Sequence, residues 1–182
     1  MAVEARLRPR QEGTVQGFPG LGFVLIRKGF LEKMRGYPRR SVYLHLTQYV
    51  DNQGAGTTPF TPAVQIYYAF DEALNELMEE GVAKRIQRYK KIATLIRDRM
   101  AKLGVKPVLT PDKQSNTITA YHLPEGITYQ SLHDKLKEQG YVIYAGQGQL
   151  ESKIFRVANM GVLTEPQIAG FLDAFERICT TA

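Results

Sequence analysis

From residue 61 to residue 103 apolar side chains return every three or four positions: Ala63, Ile66, Tyr67, Phe70, Ala73, Leu74 and Leu77, then Ile86, Tyr89, Ala93, Ile96 and Met100. That is the repeat of a helix with one buried face. Thr61-Pro62 predicts the start, with Thr as N-cap and Pro in the first helical position, and Gly81 predicts the stop. A second helix follows over Val82 to Leu103, with Gly104 beyond its end; the pair either folds into a hairpin or continues as one kinked rod. After Gly104 the repeat changes. Lys106 to Leu109 predicts a short strand, Asn116 to Leu123 a β-branched strand, Tyr129 to Gln139 a helix with Leu132 and Leu136 inward, and Tyr141 to Tyr144 another strand. A glycine-rich turn over 145 to 149 leads to a strand through Lys153-Ile154-Phe155-Arg156-Val157-Ala158. Thr164-Glu165-Pro166-Gln167 is a capping box for a last helix with Ile168, Phe171, Leu172, Phe175, Ile178 and Cys179 on its stripe. Residues 105 to 180 therefore predict an α+β layer, a small sheet covered on one face by helices.

The first third is less regular. Residues 1 to 16 read as loop or tail, and Gly17 to Gly22 as a turn. Phe23-Val24-Leu25-Ile26 is a continuous apolar run that suits a strand covered on both faces, yet the preceding residues supply no neighbour for it. Lys28 to Arg35 predicts a short helix ended by Gly36-Tyr37-Pro38. Between Arg39 and Thr58 an aromatic stretch gives way to a polar, glycine-bearing one, which predicts an extended loop crossing a partner's surface. His45 has no nucleophile or metal-ligand spacing around it and reads as a hydrogen-bonded interface or core residue.

Composition narrows the class. With 43% hydrophobic and 23% charged residues in 182, the chain is a soluble globular protein of one domain, or one small domain with an appendage. No apolar run approaches the roughly 20 residues of a bilayer span and no signal-peptide core opens the chain, so a cytoplasmic protein without a membrane partner is expected. The single cysteine, Cys179, has no internal disulfide partner. A net charge of +6 raises the question of nucleic acid. However, Arg6, Arg8 and Arg10 fall in the tail, and most other basic residues alternate with one helix's apolar stripe without interleaved aromatics. No nucleic-acid partner is expected.

Three places could carry chemistry. Arg156 sits among apolar strand residues, where a guanidinium is costly unless an anion meets it. It either snorkels to water or pairs with an internal carboxylate such as Glu151, or it holds an external carboxylate or phosphonate through two parallel hydrogen bonds. The stretch by itself favours snorkelling or the internal partner over an external ligand, since arginines in structural ion pairs outnumber those that bind ligands. The helix start at Thr61 could meet a phosphate. The glycine turn over 145 to 148 lacks a P-loop's lysine, and no zinc spacing or nucleophile motif appears. No metal site is expected.

Gly17-Phe18-Pro19-Gly20-Leu21-Gly22-Phe23-Val24, Arg39 to Leu46, Phe60-Thr61-Pro62-Ala63-Val64-Gln65, Leu132 to Leu136 with Gly140 to Gly146, and Phe155 to Gly161 occur in an order that resembles the C-terminal half of class V aminotransferases. The likeness covers about residues 17 to 178 and is strongest to the branch acting on 2-aminoethylphosphonate and pyruvate, with alanine:glyoxylate transaminases as the alternative. It implies an α/β fold of the fold-type I, pyridoxal 5′-phosphate-dependent kind. Residues 1–80 would be the tail of the cofactor domain, with an inter-subunit loop and connecting helix. Residues 81–182 would be the small domain, built on a mixed sheet.

By the same resemblance Arg156 grips the substrate's acidic group, Thr61 donates to the cofactor phosphate of a neighbouring subunit, and Thr58 makes a second phosphate contact. A homodimer, or a partner chain supplying the other half, is implied, with an amino donor and a 2-oxo acid as ligands. The parent reaction converts 2-aminoethylphosphonate and pyruvate to phosphonoacetaldehyde and L-alanine. One departure matters. Gly13 occupies the place of the Schiff-base lysine, so no catalytic residue is expected in this chain, and inactivity alone, or a non-catalytic dimerisation role, follows.

Overall fold

The computed structural model describes residues 15–180. Arg6, Arg8, Arg10 and Gly13 lie outside them. Two compact units emerge, one of residues Gly17–Asn75 and one of residues 15–16 with 76–180.

In the second unit three helices cover one face of a three-stranded sheet. Helix α4 (Val82–Lys102) precedes β1 (Ile118–His122), α5 (Tyr129–Glu138), β2 (Tyr144–Ala145), β3 (Ile154–Ala158) and α6 (Glu165–Thr180), and the strand order β1-β3-β2 puts β3 in the centre. Both pairings are antiparallel, where the resemblance implied a mixed sheet. Alternation along β3 sends Phe155 and Val157 into the core, opposite Tyr121 and Thr119 of β1. Phe155 stacks on Tyr121 and on Phe175 of α6, each at 5.5 Å. Tyr89, Ile92, Ala93, Ile96 and Met100 fill the core side of α4, while Ile86, expected on that stripe, is 54% exposed. Gly104 takes φ +74° and lets the Val105 N–H reach back to the Met100 carbonyl at 2.9 Å. The chain thus reverses into the core at Val105. Thr164 and Gln167 form the expected capping box, the Thr164 N–H donating to Gln167 Oε1 at 2.9 Å.

Two expected strands are shorter in the structure. Over Lys106 to Leu109 the pairing is a single bridge, Pro107 to Tyr121, flanked by the Val108 N–H on the Ala120 carbonyl at 2.9 Å and the His122 N–H on the Lys106 carbonyl at 3.0 Å. Over Tyr141 to Tyr144 the strand begins only at Tyr144, since the Tyr141 N–H is taken by the Leu136 carbonyl at the end of α5.

The first unit contains α1 (Lys28–Arg35), α2 (Leu46–Gly54) and most of α3 (Val64–Glu80). Gly81, at φ +85°, separates α3 from α4. Three expectations fail here. Phe23 to Ile26 forms no strand: it has no ladder partner among the described residues, and Leu25 is 85% exposed. The segment expected as an extended loop contains α2, because Leu46, Tyr49 and Val50 share a helical face and Asp51 pairs with Arg35 of α1 at 2.5 Å. Thr61 is not the N-cap: the Ile66 and Tyr67 amides turn to the Ala63 carbonyl, so α3 opens two residues later.

Candidate functional site

The face of the sheet away from the helices carries Arg156. Its direct neighbours in register are Ala120 on β1 and Tyr144 on β2, and directly opposed residues of an antiparallel pair project to the same side. Tyr144 is 57% exposed, His122 is exposed, and Ile118 and Ala158 are half-buried. Arg156 is half-buried, and its Nε–H donates to the Ala145 carbonyl at 2.8 Å. That bond swings the guanidinium over β2, the edge strand. It also commits the inner nitrogen, so Nη1 and Nη2 remain as a pair of donors. No carboxylate among the described residues lies within ion-pair distance of Arg156, and Glu151, the internal acid considered above, is not its partner. Such a fork suits two oxygens of one anion.

Backbone packing holds the fork in place. Behind Ala145, the Gly146 N–H donates to the Ile154 carbonyl at 3.1 Å, and a Cβ at position 146 would stand 2.2 Å from the Leu150 carbonyl oxygen and 2.7 Å from Ile154 Cγ1. Only glycine lets the turn close so tightly. Beyond β3, the buried Asn159 donates its side chain to Asn116 O at 2.9 Å and its backbone N–H to Thr117 O at 2.9 Å. Gly161, at φ +98°, is gripped on both peptide groups by α4: Arg88 Nη1 donates to its carbonyl at 2.9 Å, and its N–H donates to the Tyr89 hydroxyl at 3.2 Å. Arg88 is itself held by Glu80, which also takes Arg85 Nε at 2.5 Å. The Arg88 hydrogen bond is the chief reason the Glu80 carboxyl is pushed down to about 2, with Arg85 adding to it.

The other expected site residues lie in the first unit. Thr61 is exposed just ahead of α3. Thr58 is exposed too, and its hydroxyl donates to the Phe60 carbonyl at 2.8 Å. Thr58 also borders an open groove of about 450 Å³ whose other walls are chiefly Pro62, Val64, Tyr67, Tyr68 and Leu74. His45 shares a hydrogen bond with Thr47 at 2.9 Å, which agrees with a structural reading of that ring. Burial raises the Cys179 thiol to about 11, so it is an inert packing residue. No cluster of metal-ligating side chains exists among the described residues, and no helix there is long and apolar enough to cross a membrane.

No family model matches the chain. Individual proteins do. It is 36% identical over 169 residues to the 2-aminoethylphosphonate–pyruvate transaminase of Aeromonas hydrophila, covering 91% of this chain and 44% of that one. Identity to the transaminase of the same name from Bacillus cereus is also 36%, over 90% of this chain and 45% of the relative. Among solved structures, an aspartate aminotransferase from Thermus thermophilus superposes with a TM-score of 0.70 at 26% identity, over 79% of this chain and 40% of its own. An alanine–glyoxylate aminotransferase from Nostoc gives 0.73 at 22%, over 84% and 42%. This chain is homologous to aminotransferases. Its fold is that of part of a fold-type I aminotransferase, and it spans under half the length of the curated relatives it matches.

The side chains that position β3 were not evident in the sequence. Arg88, held by Glu80, and Tyr89 reach Gly161 across more than seventy positions, and no local pattern announces such a contact. For Tyr144 the sequence does carry a signal. Strand alternation places it on the same side as Arg156 once the two strands are known to pair in this register.

Proposed function

We propose that the chain is the C-terminal part of an aminotransferase whose whole form moves an amino group from 2-aminoethylphosphonate to pyruvate, giving phosphonoacetaldehyde and L-alanine. The observation that carries this reading is Arg156: a half-buried guanidinium, aimed by the Ala145 carbonyl, with two free donors and no carboxylate partner among the described residues, in a chain whose homologues bear that name. Arg156 holds the acidic end of the substrate, phosphonate in one half-reaction and carboxylate in the other. Homology to phosphonate transaminases supports this branch over the alanine–glyoxylate one.

The cofactor of such an enzyme is pyridoxal 5′-phosphate, which supplies the electron sink for exchanging an amino group between two carbons. The residues here fit its phosphate end only. Thr61 presents an exposed hydroxyl beside the first turn of α3, and Thr58, whose proton goes to the Phe60 carbonyl here, would turn that exposed hydroxyl outward to donate to the phosphate. Those two side chains would meet the phosphate of a neighbouring subunit's cofactor in a homodimer, or in a complex with a separate chain carrying the other half. With Gly13 where the resemblance places the lysine, this chain alone has no amine to hold the cofactor or shuttle the proton, and it is inactive by itself.

The test is direct. Incubation of the purified chain with pyridoxal phosphate, borohydride reduction and mass measurement should give no single stoichiometric adduct, and no alanine should form from 2-aminoethylphosphonate and pyruvate. A stoichiometric adduct with turnover would overthrow the inactive reading. Arg156→Gln should abolish binding of methylphosphonate followed by NMR titration; unchanged binding would remove the role given to Arg156.

A further inference from the structure

Resting on that reading of Arg156, we propose that Tyr144 is the residue that lets this site tell a phosphonate from a carboxylate. The argument is geometric. A carboxylate is planar and offers two oxygens, which the Nη1 and Nη2 donors of Arg156 satisfy together. A phosphonate is tetrahedral and offers three. Its third oxygen stands out of the plane of the fork, where a fixed donor holds it without the ordering that recruiting water would cost.

Tyr144 is placed to give that donor. It is the direct cross-strand partner of Arg156, so the two side chains leave the same face with Cβ atoms about 5 Å apart. The Arg156 Nε bond to Ala145 bends the guanidinium toward β2, the strand that carries Tyr144. A phenol and an arginine have similar reach, so both polar ends can contact one small anion bound on this face. The Tyr144 ring is 57% exposed, and its hydroxyl has no hydrogen-bond partner among the described residues. The other polar candidate on this face, His122, lies on β1 opposite Ile154, on the side from which the guanidinium turns away.

The experiment titrates the folded chain with methylphosphonate and, separately, with acetate, following amide and arginine side-chain resonances. Wild type should bind methylphosphonate more tightly than acetate. Tyr144→Phe should weaken methylphosphonate about tenfold, the scale of one hydrogen bond to a charged group, and leave acetate within about twofold. Equal weakening of both ligands, or no change in either, would overturn the role of Tyr144. If wild type binds neither, or Arg156→Gln binds both as well as wild type, the assignment of Arg156 falls and the Tyr144 proposal falls with it. An unchanged amide spectrum away from β2 certifies that each variant is folded.

Discussion

The two units of this chain differ in what they do with their apolar side chains. In residues 76–180 they close on one another: Tyr121, Leu132, Leu136, Phe155 and Phe175 are fully buried, and sheet and helices share one core. In Gly17–Asn75 only Thr47 and Ala73 are buried, while Phe23, Leu25, Val42, Tyr43, Leu44 and Tyr68 stand exposed. The contrast teaches that stability and surface are divided along the chain. The second unit has the means to hold Arg156 rigidly, whereas the first displays its side chains.

The sharpest way to break this contrast is to remove one ring from the closed core. Phe155→Ala deletes the centre of the Tyr121–Phe155–Phe175 stack and should cost about 3–5 kcal/mol in urea unfolding. A loss below about 1 kcal/mol would mean that the core is not what holds the second unit. A smaller effect comes from acid. The folded Glu80 carboxyl lies near 2, below its value in an unfolded chain, so its contribution is complete above about pH 4.5 and is lost as pH falls toward 2. Because Glu80 keeps some contact with water, that contribution is on the order of 1 kcal/mol after screening. Glu80→Gln should flatten the fall in stability between pH 4.5 and 2; an identical slope would assign the acid sensitivity elsewhere. The smallest effect belongs to the first unit. Leu25→Ser, at a side chain 85% exposed, should change stability by under about 0.5 kcal/mol. A change as large as that of Phe155→Ala would show that both units share one cooperative core.

The same contrast explains what the sequence disclosed. Helices α4, α5 and α6 were legible almost to the residue because each buries one face, so the repeat and the cap signals agree. In the first unit little burial enforces the pattern. Phe23 to Ile26 has the composition of a strand but no ladder partner among the described residues, and α2 hides behind an aromatic stretch that reads as extended. For the site, Arg156 was visible as a charge out of place on a strand. Its tether to Ala145, the absence of an acid beside it among the described residues and its pairing with Tyr144 depend on register, which no single segment encodes.

The closure of Gly146 onto the Leu150 carbonyl bears on any attempt to re-engineer which acids this fold accepts. Position 144 faces solvent and can be randomised freely, but two residues later every side chain beyond hydrogen collides with main chain. A mutational library here has one open coordinate and one shut, and diversity spent on the second would yield only broken scaffolds.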